Sequence, residues 1–127
     1  MFRSVVLGSN DIDRSKTFYD AIMGTLGCPP AEPNFRGALI YRHKGAGLMI
    51  TRPLDGNPAS AANGNTVAIE LDSAEQVRAW HDAGSAAGGT SIEDPPGPRD
   101  YPSGRVFSAY LRDPDGHKLC GICPLGG

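Results

Sequence analysis

Residues 4–52 of the 127-residue chain are answered, pattern for pattern, by residues 66–123. Ser4-Val-Val-Leu-Gly-Ser9 reads as a short strand, with Val5 and Leu7 alternating against Ser4, Val6 and Gly8. Thr66-Val-Ala-Ile-Glu-Leu71 reads as a second, with Val67, Ile69 and Leu71 on one face. An offset of 62 carries Ser4 to Thr66, Val5 to Val67, Leu7 to Ile69, Asp11 to Ser73 and Phe18 to Trp80. From the hairpins onward the offset is 71, taking Ile40 to Leu111, Gly45 to Gly116, Leu48 to Leu119 and Met49 to Cys120. The nine extra residues fall in a longer loop before the second hairpin. A strand–helix–strand–strand(–strand) unit cannot bury its sheet face alone, so two copies are expected to pack as one domain.

Within each unit the local signals are consistent. Asn10 is the expected N-cap of the first helix, with Asp11 and Asp13 in its first turn, where negative charge suits the helix dipole. Phe18, Tyr19, Ile22, Met23 and Leu26 recur at helical spacing and Gly27 supplies the stop. Cys28-Pro-Pro-Ala-Glu-Pro33 is expected to run extended along an edge. Residues 37–43 and 47–52 form a hairpin turning through Lys44-Gly45. In the second unit Ser73 and Gln76 make a capping-box pattern, Val77, Trp80, Gly84 and Ala87 form the apolar stripe, and Gly88-Gly89 ends the helix. Residues 94–104, rich in Pro and Gly, read as a loop, and Asp113-Pro-Asp-Gly116 turns a hairpin between 106–112 and 118–123. The boundaries are module one 1–53, linker 54–64 and module two 65–127, within a single domain of 1–127.

Composition narrows the function classes. Twelve basic against 14 acidic residues leave a net charge of −2 with both signs interspersed, so no nucleic-acid footprint is present. No apolar run approaches the roughly 20 residues needed to cross a bilayer, and a membrane role is not expected. Met1-Phe2-Arg3 leads directly into the first strand, so no secretory leader is expected. Three cysteines in a chain of this size point to a reducing, cytoplasmic setting.

Val5-Val-Leu-Gly-Ser-Asn-Asp-Ile-Asp-Arg-Ser-Lys-Thr-Phe-Tyr19, taken with Asp113-Pro-Asp-Gly-His-Lys-Leu119, resembles the vicinal oxygen chelate superfamily of glyoxalase I, bleomycin-resistance and extradiol dioxygenase proteins. The resemblance covers essentially the whole chain. It implies an α+β fold of two tandem βαβββ modules, curled into an open, barrel-like sheet with a cleft and the helices outside. It also implies a metal held by one residue on the first strand and one on the last strand of each module, usually His and Glu. Those positions fall at Ser4, Met49, Thr66 and Cys120. Two neutral hydroxyls with a thioether and a thiol build no hard-metal octahedron, so no metal and no cofactor are expected.

The remaining chemistry-bearing residues have ordinary readings. His43, His81 and His117 miss every ligand position and read as surface or turn residues. Cys120-Gly-Ile-Cys123 has redox or zinc spacing, but on a strand three residues put the two sulfurs on opposite faces. Cys120, Glu70 and Lys118 are the candidate catalytic groups, with a Glu70–Lys118 ion pair equally plausible at the cleft mouth. Arg99 and Tyr101 are expected as lid contacts from the 94–104 loop, and Arg99 or Arg105 would favour an anion. Tyr41 and Phe107 read as cavity-lining or core aromatics. The expected function is binding of a small organic molecule in the cleft through Ser4, Met49, Thr66, Cys120, Arg99 and Tyr101. The alternative is an enzyme: a glyoxalase-type lyase or isomerase or, with relocated ligands, a ring-cleaving dioxygenase. The resemblance further implies a homodimer.

Overall fold

A computed structural model describes residues 1–125 of the chain. In the first module β1 (Ser4–Gly8) leads into α1 (Ile12–Gly24), followed by the hairpin strands β2 (Leu39–His43) and β3 (Ala46–Thr51). The second has β4 (Val67–Glu70), α2 (Ala74–Ala86), β5 (Thr90–Tyr101), β6 (Gly104–Arg112) and β7 (Lys118–Pro124). These strands form two mixed, open sheets, ordered β1-β3-β2 and β4-β7-β6-β5. In each, the module's first strand lies parallel to its last and the hairpin is antiparallel.

The duplication is visible in the geometry. Both helices have 13 residues and their starts differ by the same 62 positions. The offset across the hairpins is not uniform, however. Ile40 pairs with Met49 around a two-residue turn, whereas Tyr110, not Leu111, pairs with Cys120 around the longer 113–117 turn. The structural counterpart of Ile40 is therefore Tyr110, and the buried Tyr41 corresponds to the buried Leu111.

The helices lie together on one side of the sheets, joined where Gly84 lets them approach. A Cβ there would stand 2.5 Å from Leu111 Cδ1 and 2.8 Å from Ile22 Cγ2. At Gly121 a Cβ would meet the Trp80 ring at 2.7 Å. Phe18, Tyr19, Ile22, Trp80, Leu111 and Leu119 make up the centre of this core, with Tyr41 and Phe107 in it too. The α1 cap is Asp11 rather than Asn10: its carboxylate accepts the Arg14 N–H at 3.1 Å. Asn10 instead holds the linker, bonding both the N–H and the C=O of Ala59 at 2.7 and 3.1 Å. Ser73 caps α2 as expected, and Gln76 reaches back to the Asp72 N–H. Cys28–Pro33 belongs to no strand, so module one has three strands to the four of module two.

The larger correction concerns residues 94–104, which are mostly strand rather than loop. β5 tolerates its prolines because it is the sheet's outer edge and because a bulge interrupts its register between Ile92 and Gly97. Glu93, at φ 59°, makes the kink. Arg99 fills it: its guanidinium donates to the carbonyls of Asp94, Gly97, Pro95 and Ser108.

Candidate functional site

The two stretches that carry the resemblance, residues 5–19 and 113–119, meet at the joint between the modules. The Tyr19 hydroxyl donates to the Asp113 carboxylate at 2.5 Å, and the other Asp113 oxygen accepts the N–H groups of Asp115 and His117 at 2.9 Å each. Asp115, its side chain almost fully buried, accepts from the Asn10 N–H and the Arg14 guanidinium at 3.1 Å and from the Ser15 hydroxyl at 3.3 Å. A ring nitrogen of His117 is bonded to the Gly8 carbonyl at 2.8 Å. Arg14, Ser15, Tyr19, Asp113, Asp115 and His117 thus lock module two against the α1 start and β1.

Behind this lock the sheets leave their other face open. Along β1, Val5 and Leu7 turn toward the core while Ser4 and Val6 turn away and are exposed. Along β7, Leu119 and Cys123 are in the core, Gly121 abuts Trp80, and Cys120 points to the opposite face. The two sulfurs of Cys120-Gly-Ile-Cys123 are therefore separated by the sheet, and all three cysteines are free. Val6 pairs with Met49 and Ser4 with Gly47, so Ser4 and Met49 are diagonal neighbours on the open face. Ala68 pairs with Cys120, two residues beyond Thr66, which repeats that diagonal in module two.

Two concavities run along this face. One, of about 1120 Å³, is lined by Val6, Met49, Phe35, Arg36, Arg52 and Leu54 among others. The second, of about 610 Å³, includes Thr66, His117 and Lys118. They share Val6, Gly8 and Ser60. Met49 and Thr66 thus line adjoining parts of one cleft, whereas Ser4, Cys120, Arg99 and Tyr101 are not among the lining residues of either part.

Cys120 lies instead in a separate polar cluster on the same face. Tyr110 stands opposite it in register. Lys118 is 5.0 Å and Arg99 5.6 Å from the centre of the Tyr110 ring, and Lys118 is ion-paired with Glu93, not Glu70. Burial pushes the Cys120 thiol up, while the Tyr110 hydroxyl, Arg99 and Lys118 draw it back. Burial likewise raises Tyr110 well above the usual tyrosine range, with Cys120 and Tyr101 beside it acting in the same direction. Tyr101 ends β5, half exposed at the rim. Sequence reasoning missed Tyr110 because a uniform hairpin offset puts Leu111 opposite Cys120. The Asp113-Pro-Asp-Gly turn, taken as a loop of five, would have found it.

A chelated metal needs grouped nitrogen or carboxylate donors. Among the described residues no three His, Cys, Asp or Glu side chains come together as such a set. The four residues that the resemblance assigns to the metal, Ser4, Met49, Thr66 and Cys120, offer two hydroxyls, a thioether and a thiol whose burial favours the protonated form, and they do not fit the ion.

Paired modules, edge strands β1 and β4 flanking shared cavities, and an open face opposite the helices define an α+β cleft protein. The chain belongs to the Glyoxalase/Bleomycin resistance protein/Dioxygenase superfamily, whose family model matches residues 2–120. Its structure is similar to that of a glyoxalase/bleomycin resistance protein from Albidiferax ferrireducens T118, at 46% identity and a TM-score of 0.93, covering 97% of this chain and 98% of that one. A glyoxalase-related enzyme from Fulvimarina pelagi shares the fold at 23% identity and TM-score 0.71, over 100% and 93% of the two chains. So does a lactoylglutathione lyase from Agrobacterium tumefaciens, at 16% identity and TM-score 0.66, over 97% and 92%. No curated protein matches the chain.

Proposed function

We propose that the protein binds a small organic molecule in the open cleft along β1, without the metal used by other members of the superfamily. The observation that carries this reading is the adjoining pair of concavities meeting at Val6, Gly8 and Ser60. Their walls mix apolar surface (Val6, Met49, Phe35, Leu54) with Arg36, Arg52, Lys118 and the Thr66 hydroxyl. Such a lining suits a partly apolar ligand carrying one or two polar or anionic groups. A thermal-shift screen of aromatic acids and glycopeptide-like compounds tests it: a ligand at 100 times its Kd stabilises by about 2.7 kcal/mol, and Met49→Trp should remove that gain by filling the cleft. A broad screen without a single stabilising compound would sink the reading. Elemental analysis of the purified, tag-free chain tests the metal-free part, since stoichiometric metal per chain would overturn the assignment of the corner.

The cluster of Cys120, Tyr110 and the Lys118–Glu93 pair favours a second reading, a glyoxalase-type lyase or isomerase using these groups for acid–base work. Turnover lost in Cys120→Ser with the fold intact would support it. We further propose a cytoplasmic homodimer. The exposed Phe35 and Leu54 at the cleft rim supply apolar surface for a partner copy, and three free, buried cysteines suit a reducing compartment. No helix among the described residues is long and apolar enough to cross a membrane.

A further inference from the structure

We infer that a crevice on the core side of β1 is a second binding site, one that takes a small apolar ammonium ion. The crevice, of about 250 Å³, lies between the end of α1, the β2–β3 hairpin and the edge of β4. Val5 lines it and Val6 does not, while the reverse holds for the larger concavity of the cleft. Because successive strand residues face opposite sides, β1 separates the crevice from that larger concavity, while Val5 and Val67 also line the smaller one, so the two sites adjoin at the strand edge.

The lining fixes the chemistry of the occupant. Val5, Leu26, Val67 and Ile69 pack against the core yet remain partly uncovered in the crevice, so an apolar ligand would complete their burial. Of the polar side chains around it, His43 counts as neutral in the formal charge at pH 7, and two others are already engaged. The Tyr41 hydroxyl donates to Asp20 at 2.7 Å, and Lys44 is paired with Asp72 at 3.0 Å. Glu70 lies on the rim, exposed and without an ion-pair partner among the described residues. The free charge at the mouth is thus negative, and it complements a cationic head rather than a carboxylate. The volume is below the roughly 300–1,000 Å³ of sites for drug-sized ligands, which limits the occupant to a fragment such as a six-carbon alkylammonium.

A ¹H–¹⁵N NMR titration of the full chain with hexylammonium, hexanoate and 1-hexanol tests the assignment. Hexylammonium should give saturable shifts at the Val5, Val67 and Ile69 amides. At low salt it should bind about threefold more tightly than either competitor, the effect of one exposed charge pair. Glu70→Gln should erase that preference while the alcohol binds as before. Val67→Phe should abolish the shifts by filling the crevice. Should that variant fail to fold, the ligand series on the parent chain and Glu70→Gln decides alone. Absence of saturation, shifts confined to Val6 and Met49, or equal affinity for the three ligands would each overturn the proposal.

Discussion

Tyr19→Phe isolates the joint between the modules with the least collateral change. The Tyr19 ring is fully buried, edge-on to Phe18 at 4.9 Å and tilted against Tyr41 at 6.2 Å, and phenylalanine keeps all of that packing. What disappears is one hydroxyl donating to the Asp113 carboxylate, itself 4% exposed. A hydrogen bond to a charged partner is worth about 1.5–3 kcal/mol, and the buried oxygen left behind puts this case toward the upper end, about 2.5 kcal/mol. With a urea m-value of about 1.5 kcal/mol/M, the unfolding midpoint should fall by about 1.7 M. The chain's one tryptophan, Trp80, is buried in the core beside Gly121 and reports the transition by fluorescence. A double-mutant cycle with Asp113→Asn should return a coupling of at least about 1 kcal/mol. A midpoint within about 0.3 M of the parent, or additive single effects, would refute the claim that this bond ties the modules together.

Two further outcomes follow from the packing and from charge. Gly84→Ala should destabilise by about 2 kcal/mol, because the new methyl overlaps Leu111 and Ile22 where the two helices meet; an unchanged urea midpoint would mean that the helices can separate freely. Burial lowers the pKa of His81, against the opposing pull of Asp82, while its Nε2 is bonded to Ser91 at 2.8 Å. The unfolded chain therefore takes up the proton first as pH falls. The His81 contribution is whole above its ordinary value of 6.5 and is lost progressively below it, so His81→Gln should flatten the stability profile on the acid side of pH 6.5. Parallel pH profiles for the two proteins would show that His81 titrates as freely folded as unfolded.

Where periodicity was strong the fold was legible before any coordinates. The helix offset, the Ser73 cap and the Lys44-Gly45 turn are local signals that tertiary structure had no reason to override. β5 was hidden because prolines and glycines in residues 94–104 carry loop chemistry, while the physical licence for them (an edge position, a bulge at Glu93 and the Arg99 guanidinium filling it) is tertiary. Asn10 and Asp11 are equally good caps on propensity, and only the partner across space, Ala59, separates their roles. The resemblance and the offsets assign four positions to the metal corner but say nothing of their burial. Ser4 and Thr66 are exposed whereas Cys120 is covered by strands that meet it through non-local pairing.

The residues that make the superfamily resemblance recognisable are chiefly the ones that hold the modules together. Asp11 caps α1, Arg14 and Ser15 reach Asp115, Tyr19 reaches Asp113, and His117 reaches Gly8. None of them is a corner residue. Ser4 and Thr66, by contrast, contribute no side-chain hydrogen bond to this network, so their identity can change without loosening it. The joint fixes how β1 and β4 face each other, and with them the cavities that both strands line. A scaffold built this way can lose its metal donors and keep its cleft, because the groups that shape the space and the groups that would perform chemistry in it are different side chains. On the binding reading proposed above, the lining decides what would enter that space, with Arg36, Arg52 and Lys118 on the open face and Glu70 at the crevice.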